Sequence, residues 1–425
     1  MNRFYQNPLA LYFKNNQNCI AGWVIGLLLL LTIVRQAVGL PLLLIYLIAI
    51  GGLVRPSKEY LVIAALLILK IVFISVICKN NLGDINALNL KEWFRRIVID
   101  LILLMMVFIR LRPDIKKSFY YFCTTLFLFD LICNIYNHIQ GISWGGIPLE
   151  IRPGDWLGRS GGIFGHPFYS IDISLVALFT AFLLRNRYLV PLLLTVVLNL
   201  VLAGSQRGML ALALVIILYA LFYWRAKTIY IYLVSALIVG AVFLGVADIA
   251  VHHPELVAHN ERIFRWSYGY EALISNWQQV NNYLRLNPEV FIPQSSSLIN
   301  SPFYLKTPLF FINAESYYLS EAVNYGLLVS LLSILIFFRV YKINHKCNDA
   351  LLKLSSDSGE ISAASSLQAG PSSSLGSTWI AFFLGFFIFL DGFYDYLMGV
   401  TFLIFFYAVV CFTDQSALKF QKRGE

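Results

Sequence analysis

The sequence predicts an all-α, polytopic membrane protein of about 12 transmembrane helices, with a large outward loop between helices 9 and 10. Three observations predict it. First, 59% of the 425 residues are hydrophobic and only 13% are charged, against about 25% charged in ordinary soluble domains. The mean hydropathy is +0.71. Second, the apolar residues gather in runs long enough, or nearly so, to cross about 30 Å of hydrocarbon as helices. Third, no stretch alternates polar and apolar residues like a β-barrel strand, which leaves helices as the spanning element.

The runs follow in order. The first pair lies near Ile20–Val34 and Leu40–Val54, split by Arg35 and a Gly/Pro turn. The third is near Leu61–Cys78. The polar segment LGDINALNLKEWFRR then reads as an interfacial amphipathic helix. The fourth and fifth runs are near Ile97–Ile109 and Phe119–Tyr136. A polar loop, Asn137–Pro167, precedes four runs near Phe168–Leu184, Tyr188–Leu202, Met209–Tyr223 and Ile229–Val246. The long polar loop Ala247–Ala314 leads to a tenth run near Ala322–Val340. A Ser-rich loop, Lys342–Ser377, precedes the last two, near Trp379–Leu390 and Met398–Phe412.

Charge sets the orientation. The formal net charge is +9. In a membrane chain this excess marks cytoplasmic connectors and the anionic lipid surface rather than nucleic acid. With a cytoplasmic N-terminus, the connectors RPSKE, RLRPDIKK, RNR, WRAK and RVYKINHK all fall inside, as does the QKRGE tail. Only KEWFRR falls outside. The polar N-terminus does not read as a cleavable signal, so the first helix is retained as an anchor. The six cysteines are scattered without CxxC spacing, which suggests neither zinc nor a disulfide framework. His252 and His253 lack carboxylates at metal-ligand spacing.

On this topology both long loops and the short AGSQRG turn face outward. They carry Arg152, Arg159, Arg207, Arg262, Arg265 and Arg285. Arginine stays charged and presents a fork that matches phosphate oxygens. The pattern predicts a site for a large anionic ligand such as a lipid diphosphate. The alternative is local pairing with Asp155, Asp248, Glu261 or Glu271. His166 before Pro167 also reads as a helix cap, and Gly161, Gly162 and Gly165 as turn formers. Asp172, Asp391 and Asp395 are intramembrane or interfacial acids that pair with arginine or line a cavity.

Three segments read together: GRSGGIFGHPFYS (Gly158–Ser170), AGSQRGMLALAL (Ala203–Leu214), and NERIFRW (Asn260–Trp266) with NAESYYLSEAVNYGLLVS (Asn313–Ser330) bracketing the large loop. Their order and spacing resemble the O-antigen polymerase and O-antigen ligase superfamily. The resemblance covers roughly residues 158–340. The ligase-type His-Asn before the tenth run is replaced by Ala314-Glu315, which points to a polymerase.

The resemblance implies glycosyl transfer at the periplasmic face of a bacterial inner membrane, from an undecaprenyl-diphosphate-linked oligosaccharide to a sugar hydroxyl. Arg159, Arg207, Arg262 and Arg265 would bind the diphosphate leaving group, where negative charge develops. Glu315 would be the general base, with His166 as the alternative. No metal and no cofactor are implied. The partners implied are the lipid-linked oligosaccharide and the bilayer, with a chain-length regulator and a flippase as candidate protein partners, and no nucleic acid. Two other functions compete: an O-antigen ligase, and a flippase for the lipid-linked oligosaccharide. The flippase is disfavoured by the absence of an internal repeat. The chain divides into 1–157 (helices 1–5 and the first periplasmic loop), 158–340 (helices 6–10, with the large loop at 247–314), 341–377 (a cytoplasmic Ser-rich loop) and 378–425 (helices 11–12 and a basic cytoplasmic tail).

Overall fold

The computed structural model describes residues 20–32, 35–80, 87–142, 158–183, 189–204, 254–277, 294–302 and 317–336, with isolated positions beyond them. Most of these residues are helical, as the sequence predicts. Runs eight, nine, eleven and twelve lie outside the described residues, except for isolated positions.

Up to Gln140 the described residues form five helices. They are α1 (Ile20–Thr32), α2 (Gln36–Ile50), α3 (Lys58–Asn80), α4 (Ala87–Phe108) and α5 (Pro113–Gln140). The segments Lys58–Ile77 and Asp114–Gln140 are long and apolar enough to cross a membrane. Pro113 opens α5 at a position whose N–H would lack a helical partner anyway. Gly141, in the left-handed region at φ 68°, closes it. The helix thus extends four residues past Tyr136, into what the sequence reads as loop.

Glycines bring α1 and α5 into close contact. A Cβ on Gly22 would stand 2.5 Å from the Ile115 carbonyl oxygen, and one on Gly26 would enter the Phe122 ring. The two glycines stand four apart on one face of α1, the spacing of a small-xxx-small contact. Trp23 meets Phe122 edge-on at 5.3 Å.

Helix α4 packs on both α2 and α3. It runs unbroken from Ala87 and carries KEWFRR in the same helix as the apolar run. This corrects the division into an interfacial helix and a span beginning at Ile97. The physical reason is that Trp93, Arg95 and Arg96 are all buried against neighbouring helices rather than laid on a surface. Beyond α2 and α4 the chain forms a two-residue antiparallel ladder, β1 (Gly52–Leu53) with β2 (Ile109–Arg110). Gly52 pairs with Arg110 and Leu53 with Ile109. This brings the RPSKE and RLRPDIKK connectors to one end of the bundle.

The second group is α5 with α6 (Pro167–Leu183) and α7 (Leu189–Leu202), all three in mutual contact. Both helices match their predicted runs within a residue or two. A third group lies in the stretch read as a polar loop. It contains α8 (Pro254–His259), the strongly amphipathic α9 (Glu261–Trp277) and the single turn α10 (Ser296–Ile299). Phe264, Tyr268 and Ala272 of α9 pack with Leu298, Leu319 and Val323.

The tenth run is not one helix. Its first residues belong to α11 (Tyr317–Tyr325), and Gly326 at φ 95° separates this from the apolar α12 (Leu327–Ile336). A side chain at that φ would be strained, so glycine permits the break. The two helices cross: Ser330 Oγ donates to the Tyr318 carbonyl at 2.9 Å, and Ser333 Oγ to Glu321 Oε2 at 2.6 Å. All nine residues of α11 are buried.

Candidate functional site

Two buried polar assemblies organise the described helices. The first joins the GRSGGIFGHP segment to α5, α6 and α7. Residues 162–164 form a 3-10 turn flanked by Gly161 and Gly165. Gly162 stands at φ 53°, and a Cβ there would lie 2.0 Å from Asp130 Oδ1. Without that Cβ, the Asp130 carboxylate reaches the turn and accepts from the Ile163 N–H at 3.1 Å. Its other oxygen accepts from Asn199 Nδ2 at 3.1 Å and Asn134 Nδ2 at 3.3 Å. Asn134 Nδ2 also donates to Asn199 Oδ1 at 2.8 Å, and Asn199 Nδ2 to Ser174 Oγ at 2.9 Å. The buried carboxylate therefore receives donors from three sequence segments, as a buried acid must to offset its desolvation.

That network fixes the turn on which Arg159 and His166 sit. Asn137 Nδ2 donates to Ser160 Oγ at 3.0 Å, next to Arg159. The Ser160 N–H reaches the Leu202 carbonyl at 3.4 Å, which also lies 2.6 Å from His138 Nε2. Two residues on, Gly204 at φ 63° packs against the Arg159 stem: a Cβ on it would meet Arg159 Cγ at 2.9 Å. The start of the AGSQRG turn therefore lies against the GRSGGIFGHP segment. Arg159 is half-buried.

His166 precedes Pro167, the first residue of α6. Its backbone N–H donates to the Gly161 carbonyl at 3.2 Å, and its own carbonyl accepts from the Tyr169 N–H at 3.2 Å. The backbone thus does the capping. The imidazole is exposed and lies edge-on to the Tyr169 ring at 5.8 Å.

The second assembly holds α11 against α3 and α4. Lys70 Nζ lies 3.1 Å from Asp100 Oδ1 and 2.9 Å from Glu321 Oε1. Arg96 Nη1 is 3.3 Å from the same Glu321 oxygen. All four side chains are at most 4% exposed. Lys70 Nζ also donates to Tyr317 Oη at 3.3 Å. The Arg96 guanidinium lies over two rings, Tyr317 at 5.1 Å and Tyr325 at 5.8 Å. Tyr317, Glu321 and Tyr325 fall at i, i+4 and i+8, one stripe of α11. Two cations and two acids balance in charge, which buried ionised groups require.

Of the predicted site residues, the structure brings Arg159 and His166 onto one turn. Arg262 and Arg265 lie on α9. Arg265 is half-exposed and pairs with Glu261 one turn back, the local partner weighed from the sequence. Glu271 does not pair with a nearby arginine in that way. It accepts from the N–H groups of Gln294 and Ser295, and from Ser295 Oγ at 2.6 Å, at the entry to α10. The side chain of Arg262 lies outside the described residues, as do Arg207 and Glu315 entirely. Glu315 comes two residues before α11.

Sequence reasoning missed Lys70, Arg96, Asp100, Glu321 and Asp130. A signal was present for three of them: Lys70, Asp100 and Asp130 each interrupt an apolar run, which is costly in a membrane and marks a partner or a function. No protein-family model, curated protein or solved structure matches this chain.

Proposed function

We propose that this chain is a polytopic protein of a bacterial inner membrane that polymerises undecaprenyl-diphosphate-linked oligosaccharide units at the periplasmic face. The observation that carries this reading is the contact of the Arg159 stem with Gly204. It joins the start of the AGSQRG turn to the GRSGGIFGHP segment, two of the three segments on which the resemblance rests. Arg207 follows Gly204 by three residues in the sequence, and in this reading it joins Arg159 on one anionic group.

The membrane assignment draws support from an inside-out pattern on α3. This helix exposes Leu61, Val62, Ile68, Leu69, Val72 and Val76 while burying Lys70. Such a face suits lipid, and an ionised residue in lipid must turn inward to a partner. KEWFRR stays the one basic segment that the orientation leaves outside, and burial of Arg95 and Arg96 in the protein lowers its weight as an exception. The β1–β2 ladder joins two connectors that the orientation assigns to the same, cytoplasmic, side.

The reaction follows from the charge that must move. The acceptor hydroxyl oxygen attacks the anomeric carbon of the donor sugar, and the bond from that carbon to the diphosphate oxygen breaks. Arg159 and Arg207 take up the developing negative charge, and Arg262 and Arg265 are the candidates for further contacts to the diphosphate. Arg265 must release Glu261 to make such a contact, which is cheap because an exposed i,i+4 pair is worth about 0.3–0.5 kcal/mol. The hydroxyl proton passes to Glu315, or to the exposed imidazole of His166.

The test is the surface polysaccharide of a deletion strain complemented with this chain. A polymerase restores the long-chain ladder. Arg159→Ala and Arg207→Ala leave lipid A-core carrying a single repeat. Long chains retained on the lipid carrier would instead identify an O-antigen ligase.

A second reading, a flippase for the same lipid-linked oligosaccharide, is favoured by two observations. The charge cluster around Lys70 and the helix break at Gly326 are features that transporters use. In that case the deletion strain would lack even the single repeat at the outer face.

A further inference from the structure

The cluster of Lys70, Arg96, Asp100 and Glu321 has no part in the chemistry above, and nothing in its net charge marks it as a ligand site. Its placement gives it another use. All nine described residues of α11, Tyr317–Tyr325, are buried. Its position is therefore set by the helices packed around it. Gly326, at φ 95°, breaks its helical continuity with α12. On the face toward α9, Leu319 and Val323 pack against Phe264 and Tyr268. Apolar contacts of that kind can repack after a small rotation, because they are not directional.

The opposite face cannot. Glu321 Oε1 meets both Lys70 and Arg96, its Oε2 accepts from Ser333, and the flanking Tyr317 and Tyr325 rings hold the Arg96 guanidinium. Turning α11 by one residue, about 100°, would carry Glu321 away from both cations and leave buried charges unpaired. Buried ionic groups serve best as setters of register, where apolar packing alone leaves alternatives.

We propose that this cluster is a latch that sets the rotation and depth of α11, so that Lys70, Arg96 and Glu321 act as positioning residues for glycosyl transfer. The functional half of the proposal rests on the polymerase reading, because Glu315, the candidate base, precedes Tyr317 by two residues in the sequence. The latch itself rests on geometry alone.

The experiment uses the full chain in native membranes of the deletion strain. Cysteines replace Tyr268 and Val323, which share the α9–α11 cluster, in a cysteine-free background. Disulfide yield then reports the seating of α11. Glu321→Gln is expected to lower that yield at least fivefold and the polymer ladder at least tenfold, with membrane levels within twofold. Lys70→Met should lower both readouts likewise, each normalised to the amount of chain in the membrane. Lys70→Met/Asp100→Asn leaves Arg96 facing Glu321 in balance, and should recover both readouts at least threefold over Lys70→Met. The double variant decides the matter if Glu321→Gln is lost from the membrane. Unchanged disulfide yield in Glu321→Gln overturns the latch. So does a double variant no better than Lys70→Met. A fallen yield with a normal ladder overturns the positioning role. If the wild-type chain restores no ladder, the polymerase reading fails, and the disulfide yields still decide the latch.

Discussion

Lys70 Nζ lies 2.9 Å from Glu321 Oε1, in a pocket of side chains that excludes solvent from both. One residue comes from the middle of an apolar helix and the other from α11, which follows the large loop. The pair ties the N-terminal helices to the region that carries the candidate chemistry. Removing one member of a buried pair strands the other. Lys70→Met should therefore destabilise the folded chain by about 3–5 kcal/mol. Lys70→Met/Asp100→Leu should cost clearly less than the sum of the two single changes, because the remaining Arg96 and Glu321 stay balanced. Thermal melts of the detergent-solubilised protein measure both.

The turn before α6 makes a finer prediction. Gly162 and Gly165 both have positive φ, at 53° and 67°. A Cβ on Gly162 strikes Asp130, whereas one on Gly165 meets nothing within 4 Å. Gly165→Ala should cost only the backbone strain, roughly 1 kcal/mol. Gly162→Ala should cost at least twice that, since the Asp130 carboxylate must also leave the Ile163 N–H. Equal losses in the two melts would mean that Asp130 does not hold the turn.

The α1–α5 contact depends on small residues. Gly26→Val should separate the helices, because the Phe122 ring already occupies the space. Overpacking of this kind costs typically 1–3 kcal/mol. Gly26→Val with Phe122→Ala should regain part of that loss, and a melt of the double variant below that of either single one would count against the contact.

Arg265 separates binding from stability. Its pair with Glu261 is partly exposed, so Glu261→Gln should change stability by less than about 0.5 kcal/mol. Arg265→Ala should be equally mild for stability yet lower polymer formation severalfold if the guanidinium contacts the diphosphate. A normal ladder in Arg265→Ala, at normal protein levels, would leave Arg265 as a surface pair and nothing more.

Sidedness is open to direct labelling. Cysteines introduced at Ser57 and at His166 should react from opposite faces of the membrane, His166 from outside. Reporter fusions at Leu256 or Ser296 should read periplasmic, and a cytoplasmic reading at either would remove the outward-arginine argument altogether.

The helices were legible in the sequence wherever hydropathy alone decides them. α3, α6 and α7 begin and end close to their apolar runs because nothing but composition sets those limits. The misreadings occurred where charge lies inside the protein. KEWFRR looks like a surface segment by composition, yet Arg95 and Arg96 are buried, and Arg96 meets a group as distant in sequence as Glu321. The break at Gly326 was hidden in the same way: a glycine within an apolar stretch is compatible with a continuous helix, and only its φ of 95° distinguishes the two. The Arg159–Gly204 contact was anticipated only as two motifs in sequence order. Their meeting depends on Asp130, Asn134 and Asn199, whose hydrogen bonds span three helices.

Reconstitution separates linkage formation from transport. The purified chain is placed in lipid vesicles with a purified undecaprenyl-diphosphate-linked repeat unit from the same bacterium. The account predicts polymer of two or more repeats and release of undecaprenyl diphosphate in step with each linkage, both abolished by Arg159→Ala with Arg207→Ala. Movement of the intact repeat across the vesicle membrane, without linkage formation or diphosphate release, would contradict it.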